Sequence, residues 1–324
     1  MDWDMTGKTV LFTGASRGMG RFAATELATL GAEVLVVGHH QARGQAAVEA
    51  IRCTGGSAQF LRADMGDADQ VCALATTVLA RSGPVHVLIH SAGGLLPADA
   101  RTREGIDRGF AQNFLGAFLL TRLLEERLLT SAPARVIAVG SSAHKLLKTA
   151  DVDALMHPGP TDPRMTRSQL GRYQMRSYQT AKLAVTTWIY SLARRWAGRG
   201  VTANLLDPGI VKGQIGEQYQ GPALAGVLMS RVIPFFAAAG MEKGSQQYVR
   251  LAADPTLATV SGRYFLRGKE NTQGSSPLSL DPAIQQRIDD TAEAPLVSTR
   301  RHPNHPGTTH AIYRLSRPAC AITG

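Results

Sequence analysis

The chain has 324 residues, 44% of them hydrophobic, and it carries a net charge of +10. It contains no apolar run of about 18 residues or more, so we expect no membrane span, and its N-terminus lacks the features of a signal or transit peptide, so we expect a cytoplasmic protein. The positive charge is scattered along the chain and forms no nucleic-acid-binding motif, which argues against a nucleic-acid partner. The three cysteines, Cys53, Cys72 and Cys320, lack metal-ligand spacing, which argues against a metal site.

Short apolar runs alternate with helical patterns through most of the chain. Strands are predicted at Thr9–Thr13, Val34–Val37, Gln59–Arg62, Val85–Ile89, Arg135–Val139 and Val201–Leu206, with a last edge strand at Ser261–Phe265. Helices are predicted at Arg21–Leu30, Arg43–Arg52, Gln70–Ala80, in a segment that ends near Glu126, and at Tyr178–Ala197. Continuous Val, Leu and Ile runs are typical of strands buried on both faces. The pattern therefore predicts a three-layer α/β fold with a doubly wound, mostly parallel sheet, a Rossmann fold.

We predict one domain over residues 1–294, because no linker or internal repeat interrupts this alternation. Two stretches depart from it: residues 145–172 form a long polar insertion, and residues 213–240 are apolar. Insertions of this length are usually lids or surface loops. The apolar stretch can form the wall of a substrate pocket, or it can be a helix that packs on the core. Residues 295–324 contain four prolines, four arginines and no acid, which predicts a basic, disordered tail.

A glycine-rich segment directly follows the first strand. Thr13 closes the strand, and Gly14, Gly18 and Gly20 follow at positions i, i+4 and i+6, just before a helix. Glycines at these positions permit a tight turn and a close approach of the backbone to a pyrophosphate, whose charge the helix N-terminus favours. In this context the segment predicts a dinucleotide site, and the alternative is a glycine-rich turn without a ligand.

The acid that binds the ribose 2′-hydroxyl in NAD-selective folds is missing from the end of the second strand. Gly38 stands at that point, followed by His39 and His40. Arg17 and Arg43 can instead meet a 2′-phosphate, although both can equally be solvated surface charges. We therefore predict NADP(H) as the cofactor in preference to NAD(H).

Tyr178 and Lys182 stand four residues apart on one predicted helix, so they share a face. A free tyrosine has a pKa of about 10, too high for efficient proton exchange at neutral pH, and a neighbouring ammonium group favours the phenolate. The pair predicts Tyr178 as a general acid/base, and the alternative is a tyrosine that merely packs on its helix.

Over roughly residues 7 to 270, the chain resembles the short-chain dehydrogenase/reductase family, and in particular its branch of retinol dehydrogenases and protochlorophyllide reductases. The resemblance rests on the runs Asn113–Thr121, Ser141–His144, Tyr178–Ala184, Gly262–Phe265 and Lys269-Glu270. It implies that Ser141 holds the substrate carbonyl, that Lys182 also holds the nicotinamide ribose, and that Asn113 anchors a water that relays protons to Lys182. Ser142 competes with Ser141 for its role, and Asn113 can be a plain polar helix residue. The catalytic set is thus Tyr178, Lys182, Ser141 and Asn113.

The predicted cofactor-binding set comprises the glycine loop, the ends of later strands and the helical lysine. Its members are Gly14, Ser16, Arg17, Gly18, Met19, Gly20, His39, Arg43, Asp64, Met65, Ala92, Gly93, Lys182, Pro208, Gly209 and Val211. Asp64 and Met65 are expected near an adenine ring, and the alternative for Asp64 is a turn aspartate.

The chain departs from the family pattern at three places. His90-Ser91 stands where the family usually has Asn-Asn, and Gly213 stands where it often has a threonine that contacts the carboxamide. The stretch from Ser141 to Tyr178 is longer than in most members, and in relatives an insertion there can cover the helix face used for dimerisation. We therefore expect either a monomer or a homodimer.

The predicted function is an NADP(H)-dependent oxidoreductase that transfers a hydride between the nicotinamide and a carbonyl or secondary alcohol of an apolar small molecule. The alternative is a cofactor-binding sensor or scaffold on the same fold with little catalysis. His90-Ser91, Gly213 and the basic tail motivate the alternative, whereas the intact pair of Tyr178 and Lys182 argues against it.

Overall fold

The sheet has eight strands in the order β3-β2-β1-β4-β5-β6-β7-β8. The computed structural model describes residues 3–156, 164–209, 219–223 and 240–297. The strands are β1 (Thr9–Thr13), β2 (Glu33–Gly38), β3 (Ser57–Arg62), β4 (Val87–His90), β5 (Ala134–Val139), β6 (Val201–Asp207), β7 (Tyr264–Leu266) and β8 (Lys269–Glu270). Neighbouring strands are parallel except β7 and β8, which are antiparallel. The predicted doubly wound, mostly parallel sheet is therefore confirmed.

Helices cover both faces of this sheet. They are α1 (Gly18–Thr29), α2 (Gln41–Cys53), α3 (Ala68–Leu79), α4 (Arg108–Phe110), α5 (Gly116–Leu123), α6 (Glu125–Thr130), α7 (Asp153–Met156), α8 (Arg167–Arg195), α9 (Met241–Ala253), α10 (Pro277–Leu280) and α11 (Pro282–Val297). A π-helical turn at Ala111–Leu115 joins α4 to α5, and a 3₁₀ helix at Ser142–Leu146 follows β5. Within the described ranges, no helix is long and apolar enough to cross a membrane.

Alternation of side chains along each strand builds two separate cores. Val10 and Phe12 of β1 enter one core with α1, α2 and α9, whereas Leu11 enters the other with α3, α5 and α8. Because the strands are buried on both sides, they need apolar residues at every position, which is why they read as continuous apolar runs. The result is the predicted arrangement of three layers.

The order of the strands reverses at β1, which pairs with β2 on one side and with β4 on the other. In open parallel sheets, ligands bind in the crevice at such a switch point, outside the carboxyl ends of the strands. The glycine loop after β1, the loop after β4 and the segments after β5 and β6 all begin at this edge.

Three features that affect the architecture differ from the sequence prediction. Helix α8 begins at Arg167 rather than at Tyr178, because Thr166 and Gln169 form a capping box, so the end of the predicted insertion 145–172 is helical. The predicted edge strand, β7, is covered by β8. Helix α11 was not predicted, and it spans the expected boundary between residues 294 and 295.

Several predicted segments lie outside the described residues. These are residues 157–163 of the insertion, residues 213–218 and 224–239 of the apolar stretch, and the tail from residue 298 onward. The single-domain organisation of residues 1–294 stays a prediction.

Candidate active site

Three of the predicted catalytic side chains meet at the carboxyl edge of the sheet. Tyr178 and Lys182 lie on one face of α8, with Lys182 Nζ 5.6 Å from the centre of the Tyr178 ring. Ser141 follows β5, caps the 3₁₀ helix by accepting from Ala143 N at 3.3 Å, and forms a side-chain hydrogen bond with Tyr178. The structure thus brings together residues that are far apart in the sequence.

The two adjacent serines have different partners. The Ser142 hydroxyl donates to Asp207 Oδ2, whereas Ser141 contacts Tyr178. The 3₁₀ helix that starts at Ser142 turns the second serine away, since consecutive residues point in different directions. Of the two candidates, Ser141 is the one that lies beside the tyrosine.

Burial controls the titration of the tyrosine and the lysine. Burial raises the pKa of Tyr178 above its usual value, the hydrogen bond from Ser141 offsets part of that rise, and the Asp207 charge adds to it. Burial lowers the pKa of Lys182 to about 8, and the Asp207 charge opposes that change. The net change in the pKa of Tyr178 is upward, because loss of solvent outweighs the hydrogen bond from Ser141. The effect of Lys182 on the phenolate stays a prediction.

Lys182 is held in place by the end of β5. Its Nζ donates to the Val139 carbonyl at 2.8 Å, and the residue is only 5% exposed. Because an ammonium group has three donors, two further hydrogen bonds from Nζ stay available for a ribose hydroxyl or a water.

Asn113 fastens the loop that follows β4. Its Nδ2 donates to the carbonyls of Gly94 and Gly109, both at 2.8 Å, and its Oδ1 accepts from Gly94 N at 3.0 Å. A Cβ on Gly93 would collide with the Asn113 amide, so this loop needs glycine there. Both amide hydrogens of Asn113 are used, so the predicted water can be held only by an acceptor atom of this residue.

Sequence reasoning missed Asp207, the last residue of β6. This carboxylate is 2% exposed, and it accepts hydrogen bonds from the Tyr264 hydroxyl at 2.7 Å, from Gly209 N at 2.8 Å and from Ser142. Gly209 has a φ of +71°, which permits the tight turn after Pro208. The available signal was an acid at the end of an apolar strand, directly before Pro-Gly.

The glycine loop has the shape that a pyrophosphate requires. Gly14 has a φ of +80°, and a Cβ there would lie 2.7 Å from Ala92 N. A Cβ on Gly20 would lie 2.5 Å from Gly14 O, so only glycine lets α1 start this close to β1. Gly18, with a φ of +55°, begins α1. Thr13 Oγ1 accepts from Ala92 N at 3.3 Å and joins this loop to the loop after β4. The cradle fits a phosphate group at a helix N-terminus.

Other predicted cofactor residues lie along the same crevice. A Cβ on Gly38 would lie 2.8 Å from Ser16 Oγ, so the end of β2 and the glycine loop are in contact. Met19 is partly buried and packs against the core on the α1 face. Val211 lies outside the described residues.

The predicted selectivity residues cluster around His39. Partial loss of solvent lowers the pKa of His39, Asp64 raises it, and Arg43 and Arg17 lower it further, so all three charges act on this ring. Arg17 and Arg43 are exposed at this end of the crevice. Arg17 and Arg43 therefore lie near His39, which follows Gly38, the position where NAD-selective folds have an acid.

Asp64 and Met65 follow β3 and have structural partners. Asp64 accepts from Gly66 N at 2.9 Å and forms an ion pair with Arg108 of α4. Met65 is 5% exposed, and a Cβ on Gly116 would collide with the Met65 carbonyl, so α5 packs directly on this turn. Asp64 thus has the contacts of a turn aspartate, and the place of Asp64 and Met65 near an adenine ring stays a prediction.

Comparisons with known proteins agree with this geometry. The profile of the family described as short chain dehydrogenase matches residues 8–149. The chain is 33% identical to Retinol dehydrogenase 14 of Mus musculus over 301 residues, which cover 89% of this chain and 86% of that protein. It belongs to the short-chain dehydrogenase/reductase family. It is also 33% identical to Retinol dehydrogenase 12 of Homo sapiens, over 81% of this chain and 78% of that protein, and the family branch is that of the retinol dehydrogenases.

Another relative and a solved structure extend the comparison. Polyprenol dehydrogenase of Mus musculus is 33% identical over 87% of this chain and 82% of that protein. The crystal structure of a putative NAD(P)-dependent gluconate 5-dehydrogenase from Beutenbergia cavernae, with NADP bound at low occupancy, has a TM-score of 0.64 and 25% identity over 82% of this chain and 97% of that chain. The protein is therefore an alcohol or carbonyl oxidoreductase, and its fold binds a nicotinamide cofactor.

The family's usual Asn-Asn pair is replaced by residues that bind neighbouring helices. His90 is 5% exposed, and its Nε2 forms a 2.8 Å hydrogen bond with Thr121 Oγ1 of α5. Burial lowers the pKa of His90 to about 3, so the ring is neutral at neutral pH. Ser91 Oγ forms a 2.9 Å hydrogen bond with the buried Tyr248 hydroxyl of α9. The pair thus links the end of β4 to both helical layers.

A cavity lies directly beside Tyr178. Its walls come from the loop after β4, from the start of α4 and from α8, and the lining residues are Gly94, Leu96, Pro97, Ala98, Asp107, Gly109, Gln174, Ser177 and Tyr178. The expected wall from the apolar stretch 213–240 falls mostly outside the described residues. The described walls combine an apolar rim with the buried polar residues Asp107, Gln174 and Ser177.

Proposed function

We propose that this protein is an NADP(H)-dependent oxidoreductase that interconverts a carbonyl and a secondary alcohol on an apolar small molecule. The observation that carries the proposal is the hydrogen bond between Ser141 and Tyr178, with Lys182 Nζ 5.6 Å from the centre of the Tyr178 ring. In a family of alcohol and carbonyl oxidoreductases, a phenol in contact with a hydroxyl and an ammonium group is equipped to exchange a proton with a substrate oxygen.

The cofactor would be held by the glycine loop and by the cations at the end of β2. Backbone N–H groups at the start of α1 bind the pyrophosphate, and Lys182 binds the nicotinamide ribose. Arg17 and Arg43 bind the 2′-phosphate. When bound, the nicotinamide supplies or accepts the hydride.

In the reducing direction, Tyr178 donates its phenolic proton to the carbonyl oxygen. Its raised pKa keeps the phenol protonated at neutral pH, which is the form that an acid needs. Ser141 donates a hydrogen bond to the same oxygen and stabilises its negative charge. Lys182 stabilises the tyrosinate that results, since its Nζ lies 5.6 Å from the ring. In the oxidising direction the same residues act in reverse, with tyrosinate as the base.

Two further observations support the cofactor and the substrate class. At the end of β2, Gly38 offers no carboxylate for a ribose hydroxyl, and two arginines act on the neighbouring His39. The names of the relatives, retinol dehydrogenase and polyprenol dehydrogenase, refer to apolar alcohols. We propose NADP(H) and an apolar substrate on these grounds.

The test is a titration of the purified protein with NADPH and with NADH, followed by a screen of apolar aldehydes, ketones and alcohols. We expect tighter binding of NADPH and turnover of at least one carbonyl class. Tighter binding of NADH would contradict the roles of Arg17 and Arg43. Binding of NADPH without turnover of any carbonyl would favour the alternative, a cofactor-binding sensor.

A further inference from the structure

Asp207 ends β6 beside the last residues of β5. The residue before it, Leu206, pairs in register with Val139, and Gly140 N donates to the Leu206 carbonyl at 2.9 Å. The Val139 carbonyl is also the acceptor for Lys182 Nζ, at 2.8 Å. Because neighbouring strands in a sheet lie about 4.8 Å apart, this register puts Asp207 beside the segment that leads from β5 to the Ser141 turn.

The two oxygens of this carboxylate hold a turn on each side. Its Oδ2 accepts from Ser142, the first residue of the 3₁₀ helix, and from the Tyr264 hydroxyl of β7 at 2.7 Å. Its Oδ1 accepts from Gly209 N at 2.8 Å, and Gly209 belongs to the predicted cofactor-binding set. One buried acid thus fastens the turn that carries Ser141 and the turn that is expected at the cofactor.

The same carboxylate is a negative charge that acts on both titratable groups of the site. Burial is the larger cause for both: it raises the pKa of Tyr178 and lowers the pKa of Lys182 to about 8, and the Asp207 charge adds to the first change and opposes the second. Other titratable or charged side chains around this cluster come from each neighbouring element, and they are His144 of the 3₁₀ helix, Tyr264 of β7, Arg267 against Gly209, and Tyr248 of α9 beside Tyr178. Asp207 is the acid among them.

We propose that Asp207 is a positioning residue for proton transfer at Tyr178, because its carboxylate anchors the Ser141 turn to β6 and keeps Lys182 in its cationic form. The cation is the form of the lysine that stabilises tyrosinate in the proposed mechanism. A neutral side chain of the same shape at position 207 would leave a buried ammonium group without its counter-charge, which favours loss of its proton. This inference rests on the proposed function of the Tyr178 site.

The test is the pH dependence of kcat for Asp207→Asn in carbonyl reduction with NADPH. Asparagine has nearly the same size and can still accept from Gly209 N, but it lacks the charge. Without the charge the pKa of Tyr178 and the pKa of Lys182 both fall, and the reaction needs both groups protonated. We therefore expect the alkaline limit of kcat to move down by about one pH unit. An alkaline limit at the same pH as in the wild type would overturn the proposal.

Asp289→Asn is the matched control for the loss of an acid. Asp289 also accepts from a serine hydroxyl, that of Ser191 in α8, at 2.6 Å, and the charges that act on it are those of Arg195, Glu293 and Arg194. This variant should keep the wild-type alkaline limit. An equal shift in both variants would mean that the net charge of the protein moves the limit, and would overturn the role of Asp207.

Ser142→Ala tests the anchor by itself, and it decides the question if Asp207→Asn fails to fold. It removes the hydrogen bond between the turn and the carboxylate but keeps the charge. We expect kcat to fall about ten-fold, with the alkaline limit and the NADPH affinity unchanged, because a small displacement of a group at the reacting centre is costly. Ser141→Ala should lose about a hundred- to a thousand-fold. An unchanged kcat in Ser142→Ala, or a loss as large as that of Ser141→Ala, would overturn the anchor.

A titration without turnover separates this proposal from the proposed function. Nuclear magnetic resonance of protein labelled with ¹³C at lysine Cε follows the charge of Lys182, and the Lys182→Met variant identifies its signal. We expect the midpoint near pH 8 in the wild type and about one unit lower in Asp207→Asn. That shift would support the role of the charge even if no carbonyl were reduced. Equal midpoints would overturn it even if the wild-type protein were an active reductase.

Discussion

Replacing Gly38 with aspartate should convert the cofactor preference from NADPH to NADH. Gly38 is the last residue of β2 and does not have a positive φ, so aspartate fits the backbone. Its Cβ would lie 2.8 Å from Ser16 Oγ and 3.2 Å from Ser16 Cβ. The hydroxyl can rotate away, and the remaining tight contact is relieved in the double variant with Ser16→Ala. The new carboxylate then stands where NAD-selective folds bind the ribose 2′-hydroxyl.

The expected magnitude follows from two effects. A charge-assisted hydrogen bond to the 2′-hydroxyl contributes about 1.5 to 3 kcal/mol, which strengthens NADH binding about ten- to a hundred-fold. Because His39 and Arg43 are exposed, water screens this region, so the repulsion between the carboxylate and the 2′-phosphate costs NADPH only about 1 kcal/mol. Together the ratio of the two dissociation constants should change by about fifty- to five-hundred-fold.

The assay is a fluorescence titration of each protein with NADPH and NADH, combined with kcat/KM for both cofactors on one substrate. Gly38→Asn is the matched control, because it has nearly the same volume without the charge, and we expect it to keep the NADPH preference. If Gly38→Asp still prefers NADPH by the wild-type ratio, then the end of β2 does not face the adenosine ribose and the reasoning is wrong.

Three other changes probe the site. Tyr178→Phe should lower kcat about a hundred- to ten-thousand-fold while NADPH binding stays nearly constant, and steady-state kinetics with a parallel titration check this. Lys182 has a pKa lowered to about 8, so the unfolded chain binds more protons than the native one between about pH 8 and 10.5. Wild-type stability should therefore rise by about 3 kcal/mol through that window relative to Lys182→Met, measured by urea unfolding. His90, with a pKa lowered to about 3, must stay neutral, so stability should fall by about 2 kcal/mol as pH drops from about 6.5 to 5. His90→Asn should abolish that fall, as thermal unfolding at both pH values would show.

Each of these three predictions has an outcome that would contradict it. Turnover retained by Tyr178→Phe would remove the phenol from the mechanism. A Lys182→Met protein with the same stability profile as the wild type would mean that the lysine is solvated in the native state. If His90→Asn loses as much stability at low pH as the wild type, then another group causes that loss.

The sequence alone determined seven of the eight strands, the glycine loop and the pair of Tyr178 and Lys182. These features are local: a strand buried on both faces needs an unbroken apolar run, and a tight approach of backbone to phosphate needs glycine at fixed positions. A separation of four residues puts two side chains on one helix face wherever that helix lies. The resemblance to a known family rests on the same short runs.

The start of α8 at Arg167 could have been predicted from the sequence, although the sequence analysis missed it. Thr166 and Gln169 form a capping box, which is a local signal, but the polar residues that follow it read as an insertion. Before Thr180 only Gly171, Gln174 and Ser177 are buried on this helix, and consecutive buried residues begin at Thr180.

Only the tertiary structure decided which of two serines meets Tyr178, where Asp207 and Asp107 act, and in which direction the pKa of Tyr178 moves. Each of these depends on groups from segments distant in sequence: Asp207 accepts from Tyr264, and Asp107 from Ser177. The pKa depends on the balance between lost solvent and nearby charge, and that balance is set by every neighbour in the fold. Sequence spacing fixes which residues can share a face, but burial and pairing between distant segments arise only when the chain is packed.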